Sequence, residues 1–478
     1  MFELELYKYE RSLNDIDPAF KNIDKPFIFY LNNRDDFRSF FNMFVVVDFI
    51  KETIIYYSTY SQHNIDMLEK QADKDIFKVQ RTVHCTLEVK EGEEFLTFME
   101  EECFFFHMNL KTLVLTVYTM NDLVKDSNVN LTRICSTFYL DDLDHNYFYI
   151  SAVGTDDYLR IYRVSLSLNQ VKEVDKLPGI SWPPHVLRKY HNLLFLSNEF
   201  RFSNYISQKD QKVLSGEMIK RIIFRQMQRM QSRNSHKNDN LQGEQMYSYL
   251  NMDMKNLYLT LRDKYDIRCL PGRILMIDEN TGEKQYYETS GGSPAHFEID
   301  EENGLVYTSS HNFIMNDQML ILNEPAVIDK FKVNGSSLDH IGAFKFSEGY
   351  RYTTHRLFYH EGKQYIVTFA EPNRLIFIDA QTMELLFFYD VDEQNLLSNN
   401  DDIGIYINCM VNGKSYLALE VTSDGEYIFF LGYEEIYIFH FKSRKVVAKQ
   451  NYKNFIQGDL DLDRYGMKTA HLYYIGRC

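Results

Sequence analysis

One short phrase recurs along this chain, and it constrains the fold more than any other feature of the sequence. The phrase is a strand that opens with histidine, a tight turn containing Gly, Asn or Asp, and a second strand of β-branched and aromatic residues. The stretch from Gly292 to His311 shows it most clearly. Copies with the histidine begin at His84, His185, His296, His355 and His471, and copies without it begin near Phe138 and Leu417.

The spacing of these copies predicts a β-propeller. Successive copies lie about 50 to 60 residues apart, except for one step of about 110 residues, and such periods are typical of four-stranded propeller blades. The fold class is therefore predicted to be all-β, a seven-bladed β-propeller over 41–478, with an irregular pair of β-sandwiches as the alternative. We expect the last copy, His471 to Ile475, to close the ring against strands that begin at Phe41, with residues 1–40 as a polar leader packed on the propeller.

The one long step contains an insertion, residues 203–271. The segment from Met218 to Met230 has apolar residues at helical spacing, and a second helix is predicted over 243–264. Because a loop between the second and third strands of a blade opens on the face where the first strands begin, we expect these helices to cap that face. The simplest prediction is that these helices pack across the propeller mouth. Two alternatives are that they line an apolar substrate tunnel, or that 218–230 makes peripheral contact with a membrane.

Composition narrows the class of protein. A net charge of -16 argues against nucleic acid as the main partner, because phosphate binding needs a basic surface. The six cysteines show no CxxC spacing, which disfavours zinc ribbons and disulfide scaffolds. The N-terminal residues lack the pattern of a secretory signal, and no apolar run is long enough to be a transmembrane segment. These features predict a soluble, cytoplasmic protein.

The repeat places five histidines around one predicted axis, although the whole chain has only 14 histidines. Imidazole is a ligand for Fe, Mn, Cu and Zn, whereas structural zinc sites favour cysteine and Ca²⁺ sites favour carboxylates. The pattern predicts a metal centre. Its predicted ligands are His185, His296, His355 and His471. His84 is predicted to be a fifth ligand or an acid/base, and His311 is a further acid/base candidate.

Ligating histidines usually donate their second ring N–H to a carboxylate or carbonyl group. Candidate carboxylates lie near the predicted ring, either where second strands end or on first strands. They are Glu199, Glu298, Glu371 and Glu420.

Four histidines from separate blades, one of them close to the end of the sequence, resemble the metal site of the carotenoid cleavage oxygenases. The segment from Pro294 to Gly304 is similar to that family's Ala-His-Pro-x-x-Asp-x-x-x-Gly phrase, with Phe297 in place of the proline. The other phrases of the family are missing around His355 and His471. The resemblance implies a seven-bladed propeller with a helical cap over a non-haem Fe(II), held by four histidines that glutamates support.

Three functions remain open at this point. The first is a non-haem iron oxygenase that acts with O₂ on an apolar or aromatic small molecule. The second keeps the histidine ring but uses Mn, Zn or another divalent metal in a lyase or hydrolase, where the metal polarises an oxygen atom and a histidine moves a proton. The third is a non-catalytic interaction propeller, because the fold alone does not decide function.

Overall fold

The structure, a computed structural model, describes part of the chain in detail. The described residues are 2–14, 16–24, 27–33, 43–58, 82–90, 93–100, 104–109, 111–119, 131–140, 147–154, 158–165, 170–178, 187–198, 205–206, 213–214, 272–291, 293–311, 313–316, 318–321, 326–346, 351–371, 374–391, 418–431, 435–451, 465–466 and 473–474. Apart from one 3₁₀ helix, Pro18–Asn22, the regular elements of these residues are β-strands. The all-β class predicted from the sequence is confirmed.

The strands in chain order are β1 (Phe2–Glu5), β2 (Tyr7–Ser12), β3 (Phe27–Asn33), β4 (Met43–Asp48), β5 (Thr53–Ser58), β6 (Thr82–Lys90), β7 (Glu93–Glu100), β8 (Phe104–Asn109), β9 (Val114–Thr119), β10 (Leu131–Leu140), β11 (Tyr147–Gly154), β12 (Tyr158–Ser165), β13 (Gln170–Pro178), β14 (Leu187–Tyr190), β15 (Leu193–Asn198), β16 (Tyr205–Ile206), β17 (Val213–Leu214), β18 (Arg273–Asp278), β19 (Lys284–Glu288), β20 (Ser293–Asp300), β21 (Leu305–His311), β22 (Phe313–Asn316), β23 (Gln318–Ile321), β24 (Val327–Asn334), β25 (Ser337–Lys345), β26 (Arg351–His360), β27 (Lys363–Glu371), β28 (Arg374–Asp379), β29 (Glu384–Asp390), β30 (Ala418–Val421), β31 (Tyr427–Leu431), β32 (Glu435–His440), β33 (Lys445–Asn451), β34 (Tyr465–Gly466) and β35 (Tyr473–Tyr474).

Seven antiparallel sheets of four or more strands organise the described residues. We number them along the chain from β6, so the sheet that contains β2 to β5 comes last. Sheet I is β6–β9 with β1 added beside β9, sheet II is β10–β13, and sheet III is β14, β15, β18 and β19. Sheet IV is β20, β21, β24 and β25, sheet V is β26–β29, and sheet VI is β30–β33. Sheet VII has the order β2-β5-β4-β3, and both β34 and β35 pair with β3. Two small ribbons, β16–β17 and β22–β23, lie within sheets III and IV in sequence.

Consecutive sheets touch through their first strands. β6 contacts β10, and the series continues through β14, β20, β26 and β30. At the two ends of this series, β33 of sheet VI contacts the 3₁₀ helix between β2 and β3, and β35 of sheet VII contacts β6 of sheet I. The arrangement is propeller-like, with the first strands of sheets I to VI in one connected series. The closed ring of seven blades stays a prediction.

The core lies between sheets rather than within one layer. On β15, Leu194 and Leu196 pack against sheet II, while Leu193 and Phe195 pack against sheet IV. Sheets IV and V share one further apolar cluster, and sheets V and VI share another. Because successive side chains of a strand point to opposite faces, a strand that is buried on both faces must be apolar at nearly every position. This explains the continuous apolar runs of the second and third strands.

The N-terminal residues differ from the expected leader. Strands were predicted to begin at Phe41, but β1, β2 and β3 precede that residue, so this boundary is wrong. β1 and β2 are outer edge strands, and β2 is largely exposed, so its sequence lacks the apolar alternation that marks a half-buried strand. β35 pairs with β3 through Tyr474 and Phe27, which joins the last described strand to the N-terminal sheet.

Within 203–271, the described residues before β18 form the short β16–β17 ribbon. The predicted helices over 218–230 and 243–264 lie outside the described residues, so the helical cap stays a prediction. Of the residues whose placement is described, none belongs to a helix with the length and hydropathy needed to cross a membrane.

Candidate functional site

The repeat position that carries histidine has a common backbone irregularity. In β6, β20 and β26, the register with the second strand shifts immediately before His84, His296 and His355, respectively. In β10 the shift comes immediately before Phe138, which occupies the same place in a copy without histidine. Such β-bulges redirect side chains and are frequent beside functional sites. The repeat aligned on the sequence therefore has a structural counterpart in four sheets.

Hydroxyl residues face two of these histidines across the strand pair. His296 pairs with Ser309 of β21, and His355 pairs with Thr368 of β27. Both hydroxyl residues are fully buried. The Ser309 and Thr368 hydroxyl groups therefore lie beside the histidines, near the ends of the second strands. Apolar clusters fill the rest of the sheets.

His355 is the most unusual side chain of this region. It is fully buried, and neither ring nitrogen meets hydrogen-bond geometry with a described residue. Burial lowers the pKa of His355 to about 4, the Glu298 charge opposes this shift, and the Arg356 and Arg188 charges add to it. The backbone of Tyr307 approaches closely enough to favour the protonated ring slightly. At neutral pH the ring is uncharged and has a lone pair available on one nitrogen.

Three buried hydroxyl groups of β21 share this lack of partners. The side-chain oxygens of Thr308, Ser309 and Ser310 are buried, and no hydrogen-bond partner for them lies among the described residues. An unsatisfied buried polar group costs about 1–3 kcal/mol, so a cluster of them is unusual in a folded protein. Together with His355, these hydroxyl groups give the region around β26 and the end of β21 the most buried polar atoms without a described hydrogen-bond partner.

Arg356 joins three consecutive first strands beside His355. Its Nη1 donates to Glu298 of β20 at 3.1 Å, and its Nη2 donates to Glu420 of β30 at 2.6 Å. Nη1 also donates to the carbonyl oxygen of His355 at 3.1 Å. The three charged side chains are largely buried, so they form a charged network in a partly desolvated place.

This network was not predicted from the sequence. Glu298 and Glu420 were predicted to orient histidines, and the structure places both against Arg356, with the charge of Glu298 also acting on His355. One sequence signal was available, since Arg356 is a charged residue inside a first strand whose neighbours Leu357 and Phe358 are core residues. A buried arginine of that kind needs carboxylate partners.

The remaining candidates divide into two groups. His185, Glu199 and His471 lie outside the described residues, and for His84, His311 and Glu371 the structure describes the strand but not the side chain. His296 lies on β20 and is partly buried. In the described ranges, no group of three or more His, Cys, Asp or Glu side chains is arranged to hold a metal ion. The four-histidine centre therefore stays a prediction, with His296 and His355 as the two ligands whose side chains are described.

The described groups fit a metal ligand set in one respect. A neutral imidazole is the protonation state in which histidine binds a transition metal, because a lone pair is available and no proton has to be removed. Arg356 adds a positive charge nearby, and the two carboxylates offset it. With a pKa of about 4 the His355 ring is a weak base at neutral pH, so its environment fits a metal ligand better than a general base.

Comparisons with known proteins give structural similarity alone. No protein-family model matches this sequence, and no curated protein sequence matches it, so the resemblance to carotenoid cleavage oxygenases gains no support from them. One similar solved structure is Raptor of Chaetomium thermophilum, with a TM-score of 0.40 and 8% identity, covering 79% of this chain and 25% of the Raptor chain. This chain thus spans about a quarter of that protein. Another is the dihydro-heme d1 dehydrogenase NirN in complex with DHE, with a TM-score of 0.42 and 8% identity, covering 98% of this chain and 80% of the other. Neither the fold nor the function of this chain is inferred from similarities this distant.

Proposed function

We propose that this chain is a metal-dependent β-propeller enzyme in which histidines of the repeat position bind one transition-metal ion. The observation that carries the proposal is His355, a fully buried and uncharged imidazole that the backbone of Tyr307 approaches without meeting hydrogen-bond geometry. It follows a β-bulge, as His84 and His296 do in two other sheets. Because the bulge also precedes Phe138 in a copy without histidine, it is a feature of the repeat, and the histidines at this position carry the proposal.

The proposed ligands are His185, His296, His355 and His471, with His84 as a fifth ligand or an acid/base group. Fe(II) is the proposed metal, and a bound iron ion would supply O₂ chemistry that no side chain can supply. Mn, Cu and Zn are the alternatives. The proposed substrate is an apolar or aromatic small molecule, as the resemblance to the carotenoid cleavage oxygenases implies.

The chain's own residues have separate tasks in this proposal. His355 stays neutral across the physiological range because its pKa is about 4, so protons do not compete with a ligand at this nitrogen. Arg356, through Glu298 and Glu420, holds the first strands of sheets IV, V and VI together at the level of the histidines. That fixes the distance between ligands that come from separate sheets.

Metal content tests the proposal. The protein is purified without chelator, and Fe, Mn, Cu and Zn are measured by mass spectrometry in the wild type and in His296→Ala and His355→Ala. We expect one ion per chain in the wild type and a loss of most of it in both variants. His440→Ala is the matched control, since His440 binds Glu426 and Ser443 away from the repeat position.

The identity of the metal separates the candidate chemistries. Iron together with O₂-dependent turnover supports the oxygenase, whereas a redox-silent ion such as Zn²⁺ supports a lyase or hydrolase. A wild-type protein that contains none of these metals contradicts the proposal and favours an interaction propeller. A metal content that His355→Ala leaves unchanged does the same.

A further inference from the structure

The outer strands of the seven sheets share protective features, and β29 departs from them. In an open sheet the outer strand leaves a row of backbone N–H and C=O groups unpaired, and proteins commonly protect such edges with charges, above all lysine, or with bulges. Most outer strands of this chain carry lysine. These lysines are Lys8 on β2, Lys172 and Lys176 on β13, Lys284 on β19, Lys345 on β25, and Lys445 and Lys449 on β33.

β29 carries neither lysine nor arginine. Its interior, Leu385 to Tyr389, consists of five consecutive apolar or aromatic residues between Glu384 and Asp390. β1 also lacks basic residues, but it is only four residues long and has a glutamate at alternate positions. Among the described outer strands, β29 therefore stands out as a long apolar edge.

A one-residue bulge is common to several outer strands and does not set β29 apart. The registers leave Val174 of β13, Ile341 of β25, Leu386 of β29 and Val447 of β33 without an opposite residue. The bulge therefore repeats from sheet to sheet. What differs at β29 is the composition around it.

The apolar residues of β29 are exposed. Leu385, Leu386 and Phe388 expose 41%, 40% and 46% of their surface, respectively. Phe388 meets Phe346 at a ring distance of 6.2 Å, and Arg374 lies over the Phe388 ring at 4.4 Å. This edge is thus an exposed apolar strand with an adjoining aromatic surface from the end of sheet IV, which suits protein binding better than solvent exposure.

Charge decides between possible occupants of the edge. A second copy paired antiparallel would bring Glu384 of one chain beside Asp390 of the other at both ends, between molecules that each carry a net charge of -16. Like charges directly opposite each other destabilise strand pairs. Arg374 offsets the charge of Asp390 through contacts at 2.5 and 3.1 Å, and Arg444 covers the Phe387 ring. Glu384 has no basic neighbour on its own strand. The sequence after β29 adds two further acidic residues, Asp392 and Glu393.

We propose that the edge of β29 binds an extended segment of a partner protein that has alternating apolar residues flanked by lysine or arginine. The segment adds a strand beside β29, its backbone pairs with the open edge, and its apolar side chains cover Leu385, Leu386 and Phe388. Its basic residues meet Glu384 at one end of the strand, whereas Asp390 at the other end is already paired with Arg374. This surface is independent of the proposed metal site, and a protein of either function can use it.

A synthetic peptide tests this surface directly. The probe is a fluorescently labelled Lys-Lys-Val-Tyr-Val-Thr-Val-Lys-Lys peptide, compared with the same core flanked by glutamates, and binding is followed by anisotropy. We expect saturable binding of the lysine-flanked peptide and binding of the glutamate-flanked peptide that is at least about tenfold weaker. No saturable binding of the lysine-flanked peptide to the wild type overturns the proposal, and so does equal binding of both peptides.

Two variants at equivalent bulge positions localise the binding. Leu386→Lys changes β29, and Val447→Lys makes the same change on β33, where the exposed fraction is a similar 37%. Leu386→Lys should weaken peptide binding about tenfold, and Val447→Lys should leave it within about twofold. Thermal melting of both variants checks that they fold. Unchanged binding by a folded Leu386→Lys variant overturns the assignment to β29. Self-association of the wild type that Leu386→Lys abolishes, seen in sedimentation, shows that a second copy is the occupant and also overturns the proposal.

Discussion

The guanidinium group of Arg356 donates a 2.6 Å hydrogen bond to Glu420, a residue of the next sheet, while its other amino group binds Glu298 of the preceding sheet. One side chain thus connects three consecutive sheets at the level of the repeat histidines. Without partners from other strands, Arg356 would be an isolated buried charge. Its stability depends on carboxylates that come from two other strands, about 60 residues away on either side.

Replacing Arg356 with methionine should destabilise the fold by about 3 kcal/mol, because it removes the guanidinium group that two largely buried carboxylates bind. Urea unfolding followed by circular dichroism measures the change. A triple variant, with Glu298→Gln and Glu420→Gln added, should recover part of the loss, since it removes the uncompensated charges. A single variant as stable as the wild type contradicts the role given to this network.

Acidification should reveal the buried state of His355. Its folded pKa of about 4 lies below the ordinary value of 6.5, so the unfolded chain binds a proton that the folded chain excludes between these values. Stability from this group therefore falls as pH drops from about 6.5 towards 4, by roughly 3 kcal/mol in total. His355→Leu, treated with chelator like the wild type, should lose less stability over this pH window. Equal pH profiles of the two proteins rule out the buried, neutral ring.

The His340–Asp329 pair should respond to pH in the opposite direction. His340 Nε2 lies 2.8 Å from a carboxylate oxygen of the buried Asp329, and that hydrogen bond raises the pKa of His340. A raised pKa means that the charged pair stabilises the fold below about pH 6.5 and that this contribution is lost as pH rises through the folded pKa. The stability difference between wild type and His340→Gln should thus be larger at pH 5.5 than at pH 9 in thermal melts. A difference that grows with pH contradicts this pairing.

Gly425 should tolerate a methyl group far less than Gly335. Both have positive φ, at 71° and 60°, so alanine costs about 1–2 kcal/mol of backbone strain at either position. A Cβ at Gly425 would also lie 2.1 Å from the carbonyl oxygen of Tyr359 in the neighbouring sheet, whereas a Cβ at Gly335 meets no atom within 4 Å. Gly425→Ala should therefore be the less stable of the two in denaturant unfolding, and equal losses would contradict the close approach of sheets V and VI at this turn.

The sequence predicted the sheets best where strands are buried on one or both faces. The His296 and His355 copies lie on first strands as the repeat required, because the alternation and the turn residues act locally along the chain. β2 was missed because an edge strand that is exposed to solvent carries charged residues and resembles a loop in sequence. β1 alternates apolar and acidic residues and β3 is an apolar run, so both carried strand signals that the leader prediction overlooked. The outer position of β29 likewise depends on sheet order, which the residues of β29 alone do not reveal.

The site was predicted in part, for a similar reason. Histidine at a repeated position is visible in the sequence, but the bulge before His84, His296 and His355 is a feature of the strand pair, and only the structure shows it. Arg356 was missed because its partners lie on two other strands. The side chains of His185 and His471 lie outside the described residues, so the meeting of all four histidines stays a prediction.

Metal titration of the chelator-treated protein tests the proposed centre most directly. Calorimetric titration with Fe(II) under anaerobic conditions, repeated with Mn(II), should give one site per chain in the wild type and in His440→Ala. His296→Ala and His355→Ala should each weaken binding by about a hundredfold or more, since each removes a direct ligand. Titrations without a saturable site, or equal binding by the wild type and a folded His355→Ala variant, would contradict a metal centre built from the repeat histidines.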